Sequence, residues 1–186
     1  MIFTVLHLKK LFQKNNKVSK PHINDYPAYF GRYINLVDAN DLQTAVTTYS
    51  HPLTYFFVNI PEEKGNYAYA PGKWTIKDLL QHVIDTERIM SYRLLCIARG
   101  EQTPLPGFAE DAYAASAEAS KRSFISLKEE FIALRKSTDL LIQSLTEEQL
   151  NNAGTASNKT TTANALGYII FGHILHHKTI VEERYL

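Results

Sequence analysis

The side chains with the clearest capacity for metal chemistry lie near the C-terminal end, in the run His173-Ile174-Leu175-His176-His177. Residues four apart on a helix share one face and stand one turn apart. His173 and His177 have this spacing, whereas His176 is rotated about 100° from His177 around the helix axis. If the segment is helical, His173 and His177 therefore present two imidazole nitrogens to one ion.

A third ligand would complete the site. His82 borders the apolar face of another predicted helix, in the segment 79–87, and is the candidate for that position. Three imidazoles suit zinc, nickel, copper or iron, and three protein ligands with one open position are typical of a catalytic metal site. Asp85 and Glu87 are candidates for accepting the outer N–H of a ligating imidazole. They fit a solvated helix face equally well.

Two interpretations without a metal stay open for the histidines. A pair four residues apart on an arbitrary helix is most often solvated or hydrogen-bonded, and a metal-free core would let the imidazoles bond to one another. The apolar stripe that carries His173 and His177 favours the metal, because two buried imidazoles without partners would be costly. We interpret His7, His22 and His51 as structural or surface residues.

Other catalytic arrangements find little support. Cys96 lies in the apolar run Leu94-Leu95-Cys96-Ile97, which is typical of core packing rather than of a nucleophile. A di-iron bundle would require Glu-x-x-His pairs on two helices, and the sequence contains no such pairs. A glycine-rich phosphate loop is also missing from the sequence. The histidines are therefore the main chemical signal.

The composition describes one globular domain, with or without a tail. The chain has 186 residues, 45% of them hydrophobic, with 20 Lys+Arg against 19 Asp+Glu. A net charge of +1 leaves no excess of positive charge to neutralise the phosphates of a nucleic acid, so we expect no nucleic-acid partner. The longest apolar runs fall far short of the ~20 residues of a membrane-spanning helix, so we expect no membrane partner. The single cysteine fits a reducing compartment, and we expect the cytoplasm.

The N-terminal segment differs from the rest of the chain. Its apolar residues 1–8 precede a series of lysines, which is the reverse of a signal peptide. A basic amphipathic anchor is one interpretation of this pattern, and a loosely ordered extension is the one that we favour. We therefore divide the chain into an extension, 1–28, and a domain, 29–186.

Hydrophobic periodicity predicts four long helices in that domain. Apolar residues spaced by three and four predict a helix over about 118–145, and a capping box formed by Thr75 and Asp78 opens another over 75–98. A first helix near 42–60 contains Pro52, so we expect a kink or break near Ser50.

The last predicted helix begins at Thr161 or Thr162 and runs almost to the terminus. Between the second and third helices, the prolines of 103–108 exclude a helix and predict a long ordered loop. The pattern Thr146-Glu147-Glu148-Gln149 predicts a brief helical turn in the connection that follows the third helix. No stretch alternates convincingly with a period of two. We therefore expect an all-α fold, a four-helix bundle with a long crossover connection.

Four sequence blocks, in this order, resemble the DinB/YfiT-like superfamily of metal-binding four-helix bundles. The blocks are Tyr69-Ala70-Pro71-Gly72-Lys73-Trp74-Thr75-Ile76-Lys77-Asp78, His82-Val83-Ile84-Asp85-Thr86-Glu87-Arg88, Pro104-Leu105-Pro106-Gly107-Phe108 and Gly172-His173-Ile174-Leu175-His176-His177. Each block alone is weak evidence for this family, whereas the four together, in this order, are specific for it. The resemblance covers about residues 29–186.

The resemblance implies a DinB-like bundle, often dimeric, with a divalent metal held by three histidines. The histidine of the family's second helix falls on His82, and its pair on the last helix falls on His173 and His177. Family members include thiol-dependent transferases and isomerases that use thiols such as bacillithiol or mycothiol, and metal-dependent hydrolases. Ile174 departs from the polar residues frequent at its position and suggests drier surroundings.

Together, the residues and the resemblance predict a divalent-metal-binding protein, with zinc, nickel or iron in the site. The expected activity is a thiol S-transferase or a hydrolase reaction, with a small-molecule substrate such as a low-molecular-weight thiol and a homodimeric assembly. The alternative is a non-catalytic metal-binding or dimerisation module. We expect the walls of the pocket to come from residues 67–74 and from the loop 104–108.

Overall fold

The computed structural model describes residues 18–186 of the chain. The helices, in chain order, are α1 (Gly31–Ile34), α2 (Leu42–Val58), α3 (Ile76–Ala98), α4 (Glu110–Ala117), α5 (Phe124–Ser144), α6 (Glu147–Asn151) and α7 (Ala163–Arg184). Two strands, β1 (Ala153–Ala156) and β2 (Lys159–Thr162), precede the last helix. Short 3₁₀ turns occupy Ile23–Asp25, Ala28–Phe30, Glu62–Lys64 and Ala119–Lys121.

The long helices α2, α3, α5 and α7 form a four-helix bundle. α3 and α7 pack side by side, α5 packs against α2 and α3, and α2 packs against α7. Consecutive helices α2 and α3 therefore lie on a diagonal of the bundle. Every residue from Ala163 to Ile174 of α7 is buried, as expected of a helix that is apolar around most of its circumference. α1 covers the remaining side of α7.

Local signals place the start of α3 and α7 as predicted. The backbone N–H of Asp78 donates to the Thr75 hydroxyl over 3.2 Å, and the backbone N–H of Thr75 donates to the Asp78 carboxylate over 2.9 Å. This capping box satisfies two backbone donors that the first turn leaves free. At the start of α7 the Thr162 hydroxyl accepts a hydrogen bond from the backbone N–H of Ala165. The turn predicted at Thr146 is also confirmed, as α6.

Two of the long helices differ from the prediction. α2 runs without interruption through Pro52, so of the predicted kink or break near Ser50 the break is wrong. Pro52 and Thr48, whose carbonyl loses its helical donor, are both exposed, which leaves that carbonyl close to water. The third long helix begins at Phe124 rather than near 118, because Glu118 adopts a left-handed backbone with φ of 46° and ends α4.

The mostly helical fold contains a β-hairpin that the sequence analysis missed. β1 and β2 pair antiparallel, from Ala153 with Thr162 to Ala156 with Lys159. Ser157 and Asn158 form the two-residue turn, both with positive φ, as a type I′ hairpin turn requires. Strands of four residues are too short to show alternation. The crossover loop docks on the hairpin, since Leu105 exchanges backbone hydrogen bonds with Thr155 and Ser157.

Part of the predicted N-terminal extension lies against the bundle. Ser19 pairs with Asp41 in an isolated β-bridge, and the Asn164 side chain donates to the Ser19 carbonyl over 2.8 Å. The apolar run 1–8, most of the lysines that follow it and His7 lie outside the described residues. Within residues 18–186, every helix is too short or too polar to cross a membrane.

Candidate metal centre

The last helix presents two of the three predicted ligands to the bundle interior. His173 and His177 lie one turn apart on α7, and 6% and 8% of their surfaces are exposed. The residue before the pair is Gly172, where the backbone of α1 passes so close that a Cβ would lie 2.1 Å from the Tyr33 carbonyl oxygen. This approach brings the Tyr33 ring edge-on to His173 and to His176, with ring centroids 5.5 Å apart in both pairs.

The second long helix brings the third histidine to the same point. Because α3 and α7 pack side by side, His82 Nε2 lies 3.1 Å from His173 Nε2, and His177 Nε2 lies 3.1 Å from the same atom. A single ligand nitrogen from each of the three histidines lies within 4.8 Å of the other two. The Trp74 ring packs against His82, with the ring centroids 4.9 Å apart.

Hydrogen bonding among the three imidazoles cannot satisfy this arrangement. A neutral imidazole nitrogen carries either one proton or one in-plane lone pair. His173 Nε2 meets two nitrogens at 3.1 Å, so only one of the two contacts can be a good hydrogen bond at a time. A tetrahedral metal at ~2.05 Å from each nitrogen would set the nitrogens ~3.3 Å apart. The donor set therefore fits a divalent cation better than a metal-free core.

Burial keeps the three imidazoles neutral near pH 7. Desolvation lowers the pKa of His82 to about 4 and that of His177 to about 3, and it lowers the pKa of His173 well below its usual value. The neighbouring imidazoles act in the same direction. The carboxylate of Asp111 opposes the shift at His82. Since metals bind the neutral form of histidine, the site is ready for a cation without losing protons.

A cavity of about 320 Å³ opens beside His177. Its lining consists mainly of aromatic and aliphatic side chains: Tyr69, Gly72, Lys73, Trp74, Leu79, His177, Ile180 and Tyr185. The Tyr185 hydroxyl donates to the Trp74 carbonyl over 2.8 Å, which ties the C-terminal end to the segment before α3. The expected wall from 67–74 is therefore present in part, whereas the loop 104–108 borders a different cavity.

Glu87 and Asp85 do not serve as partners of the imidazoles. Glu87 Oε1 accepts a 2.7 Å hydrogen bond from Arg135 Nη1, and both side chains are almost wholly buried. Five residues after His82, Glu87 is turned about 140° around the helix axis and faces α5. Asp85 accepts from the side chain of Gln81 over 2.9 Å. The structure therefore pairs neither of these two candidate carboxylates with an imidazole.

Two residues near the site escaped the sequence analysis. Tyr33 packs on two histidines although about 140 positions separate them, and only the glycine before His173 hinted at such an approach. Asp111 lies on α4, in a segment without distinctive periodicity, and its charge reaches His82. His51 and His22 stay apart from the group, since His51 stacks on Tyr55 and His22 is exposed, whereas the His176 ring lies 5.2 Å from the His177 ring.

A family model and two solved structures match this chain. A family model described as the DinB superfamily matches residues 50–181, a range that contains all three histidines. The chain belongs to the DinB superfamily. No curated protein sequence matches it.

Two solved structures share the DinB fold of this chain. YfiT from Bacillus subtilis, described as a probable metal-dependent hydrolase with an unusual four-helix bundle topology, superposes with a TM-score of 0.62 at 18% identity. That match covers 88% of this chain and 90% of YfiT. A mycothiol-dependent maleylpyruvate isomerase superposes with a TM-score of 0.61 at 15% identity, over 86% of this chain and 62% of the isomerase. At these identities the likeness concerns the fold.

Proposed function

We propose that this protein holds one divalent metal on His82, His173 and His177 and is an enzyme that joins a low-molecular-weight thiol to a small-molecule substrate. The observation that carries the proposal is the convergence of three imidazole Nε2 atoms from α3 and α7, beside a cavity of about 320 Å³. The described activities of the two structural neighbours, one metal-dependent and one mycothiol-dependent, support the same assignment.

Three protein ligands would leave one coordination position of the metal open. A divalent metal bound there would supply Lewis acidity, which lowers the pKa of a coordinated thiol or water so that it is a nucleophile near pH 7. The protein contributes the side chains that surround the three histidines. Trp74 packs against His82, and Leu79 and Ile180 line the cavity beside His177.

The lining of the cavity favours thiol chemistry over hydrolysis. Among the described residues, neither an aspartate nor a glutamate lines it, so the wall offers no carboxylate general base. A thiol that is deprotonated on binding needs no such base. Among the described residues that line the cavity, Lys73 is the only one charged near pH 7, and it is exposed. A cation there suits a thiol that carries an acidic group.

Hydrolysis is the second candidate, and Asp111 is the observation that favours it. This carboxylate lies close enough for its charge to raise the pKa of His82. A carboxylate near the open position could accept a proton from an attacking water. The two candidates share the metal and differ in their dependence on Asp111.

Metal content measured on protein purified without chelators or a metal-binding tag tests the proposal. We expect about one zinc, nickel or iron per chain, lost in His82→Ala and His173→Ala. His51→Ala is the matched control, because His51 is exposed and contacts Tyr55 instead of the group. Retention of metal in both ligand variants would overturn the site. A stoichiometric metal without turnover of thiol or ester substrates would instead indicate the non-catalytic module.

A further inference from the structure

A buried arginine without a carboxylate partner lies on α3, away from the histidines. Arg93 follows His82 by eleven residues, or about 16 Å along the helix. Only 3% of its surface is exposed, and no acidic side chain within residues 18–186 forms an ion pair with it. Burial lowers its pKa, and no opposing charge contributes. A buried charge left without a counter-ion is costly.

The contacts of Arg93 use only part of its hydrogen-bonding capacity. Nη2 donates to the Pro106 carbonyl over 2.6 Å and to the Ser157 hydroxyl over 3.0 Å, and Nη1 meets the Met90 sulfur at 3.7 Å. These bonds fasten the crossover loop and the hairpin turn to α3. A guanidinium has five N–H donors. The Nε–H and the second Nη1–H therefore find no acceptor in the described part of the chain.

Arg93 also borders a cavity of about 220 Å³ that carries an unpartnered polar group. The Thr161 side chain lines the same cavity, and its hydroxyl is buried without a hydrogen-bond partner in the described structure. Lys159 adds an ammonium group to the lining, whereas no aspartate or glutamate among the described residues contributes to it. Phe30 and Leu166 provide apolar walls. The cavity thus combines positive charge, free donors and a hydrophobic interior.

We propose that this cavity binds a small organic carboxylate. The carboxylate would accept hydrogen bonds from Arg93 and Thr161 and pair with Lys159, while its hydrocarbon part packs against Phe30 and Leu166. A carboxylate is one group that provides both a negative charge for Arg93 and acceptor lone pairs for the N–H and O–H donors. The apolar walls favour an organic acid over inorganic phosphate. The site shares no lining residue with the cavity beside His177, so it does not rest on the proposed enzyme activity.

Titration of the full-length protein with benzoate, followed by calorimetry and by NMR, tests this site. We expect saturable binding of benzoate, with binding of the neutral isostere benzamide and of inorganic phosphate at least tenfold weaker. Thr161→Val and Lys159→Gln should each weaken benzoate binding at least threefold. Arg99→Gln is the control for Lys159→Gln, since Arg99 is exposed and lies outside the cavity. Both cavity variants leave the contacts of Arg93 intact, whereas Arg93→Gln would release the loop and the hairpin.

A carboxylate can also ligate a metal, so the titration is repeated on His173→Ala. Retained benzoate affinity in that variant is the expected result and separates this site from the metal centre. Loss of binding in His173→Ala would overturn the proposal, as would equal affinity for benzamide. Unchanged affinity in both Thr161→Val and Lys159→Gln, phosphate binding as tight as that of benzoate, or the absence of saturable benzoate binding would also overturn it.

Discussion

Gly172 lies against the backbone of Tyr33, and a methyl group at position 172 would stand 2.1 Å from the Tyr33 carbonyl oxygen. The contact joins α1 to α7 immediately before the first histidine of the pair. It allows the Tyr33 ring to pack on His173 at a centroid distance of 5.5 Å. The position of α1, a helix of only four residues, thus determines how the His173 ring is covered.

Gly172→Ala should destabilise the protein, because the obstructing atoms belong to the backbone and cannot rotate away. We expect a loss of about 1–3 kcal/mol in the free energy of unfolding, typical of overpacking, and weaker metal binding. Urea unfolding and metal titration measure the two effects. Gly31→Ala is the control, since its Cβ would meet only Tyr26 at 3.7 Å. Equal stability of the two variants would contradict the role of the contact.

Metal-free protein should lose stability as the pH falls from 6.5 toward 4. Unfolded histidines protonate near pH 6.5, whereas burial lowers the pKa of folded His82 to about 4 and that of His177 to about 3. Below pH 6.5 the unfolded state binds more protons, so this contribution is complete above pH 6.5 and declines on acidification. At pH 5 the loss is about 2 kcal/mol for each such histidine.

Urea unfolding of chelator-treated protein at pH 7.5 and pH 5 measures that loss. Carboxylates also titrate in this range, so the wild type is compared with the double variant His82→Gln, His177→Gln. The variant should show a smaller fall in stability between the two pH values. An identical fall in both proteins would show that the buried histidines do not cause it.

Arg135→Met should destabilise the protein more than Glu87→Gln. Arg135 has two carboxylate partners, Glu87 and Asp139, so it keeps one when Glu87 is neutralised. Glu87 depends on Arg135 as its ion-pair partner and is 2% exposed, and burial already raises its pKa. Removal of one partner of a buried pair costs about 3–5 kcal/mol. Urea unfolding at pH 7 measures the difference.

The same two variants test whether Glu87 acts on the metal centre. Its carboxylate bonds to Arg135 and not to an imidazole, so we expect Glu87→Gln to bind metal with unchanged affinity. A tenfold or larger loss would instead place Glu87 among the groups that orient the ligands. Arg135→Met should likewise retain its metal as long as it is folded.

Asp111→Asn distinguishes the two proposed reactions. The exposed carboxylate of Asp111 partly opposes the lowering of the His82 pKa by burial. If the enzyme hydrolyses its substrate with Asp111 as the proton acceptor, kcat should fall about 100-fold, within the range of general-base catalysis. Thiol transfer should proceed within threefold of the wild-type rate. Glu110→Gln, the neighbouring exposed carboxylate on α4, is the control variant.

Features that depend on a few neighbouring residues could be predicted from the sequence. The capping box at Thr75 and the cap at Thr162 place the starts of α3 and α7, because side-chain acceptors and the first free N–H groups lie within three residues of each other. The spacing of His173 and His177 places both on one face for the same local reason. His82 was a candidate for the third ligand because it borders the apolar face of its own helix, and the family resemblance supported that choice, since spacing along one helix carries no information about another.

Contacts between distant segments were decided only by the tertiary structure. His82 meets His173 because α3 and α7 pack side by side, and Tyr33 reaches the pair because Gly172 admits the backbone of α1. The partner of Glu87 stayed open for the complementary reason, since proximity to His82 in sequence did not show that Arg135 on α5 would bind its carboxylate. Short-range hydrogen bonds determine where helices begin, but the packing of whole helices determines which side chains share a site.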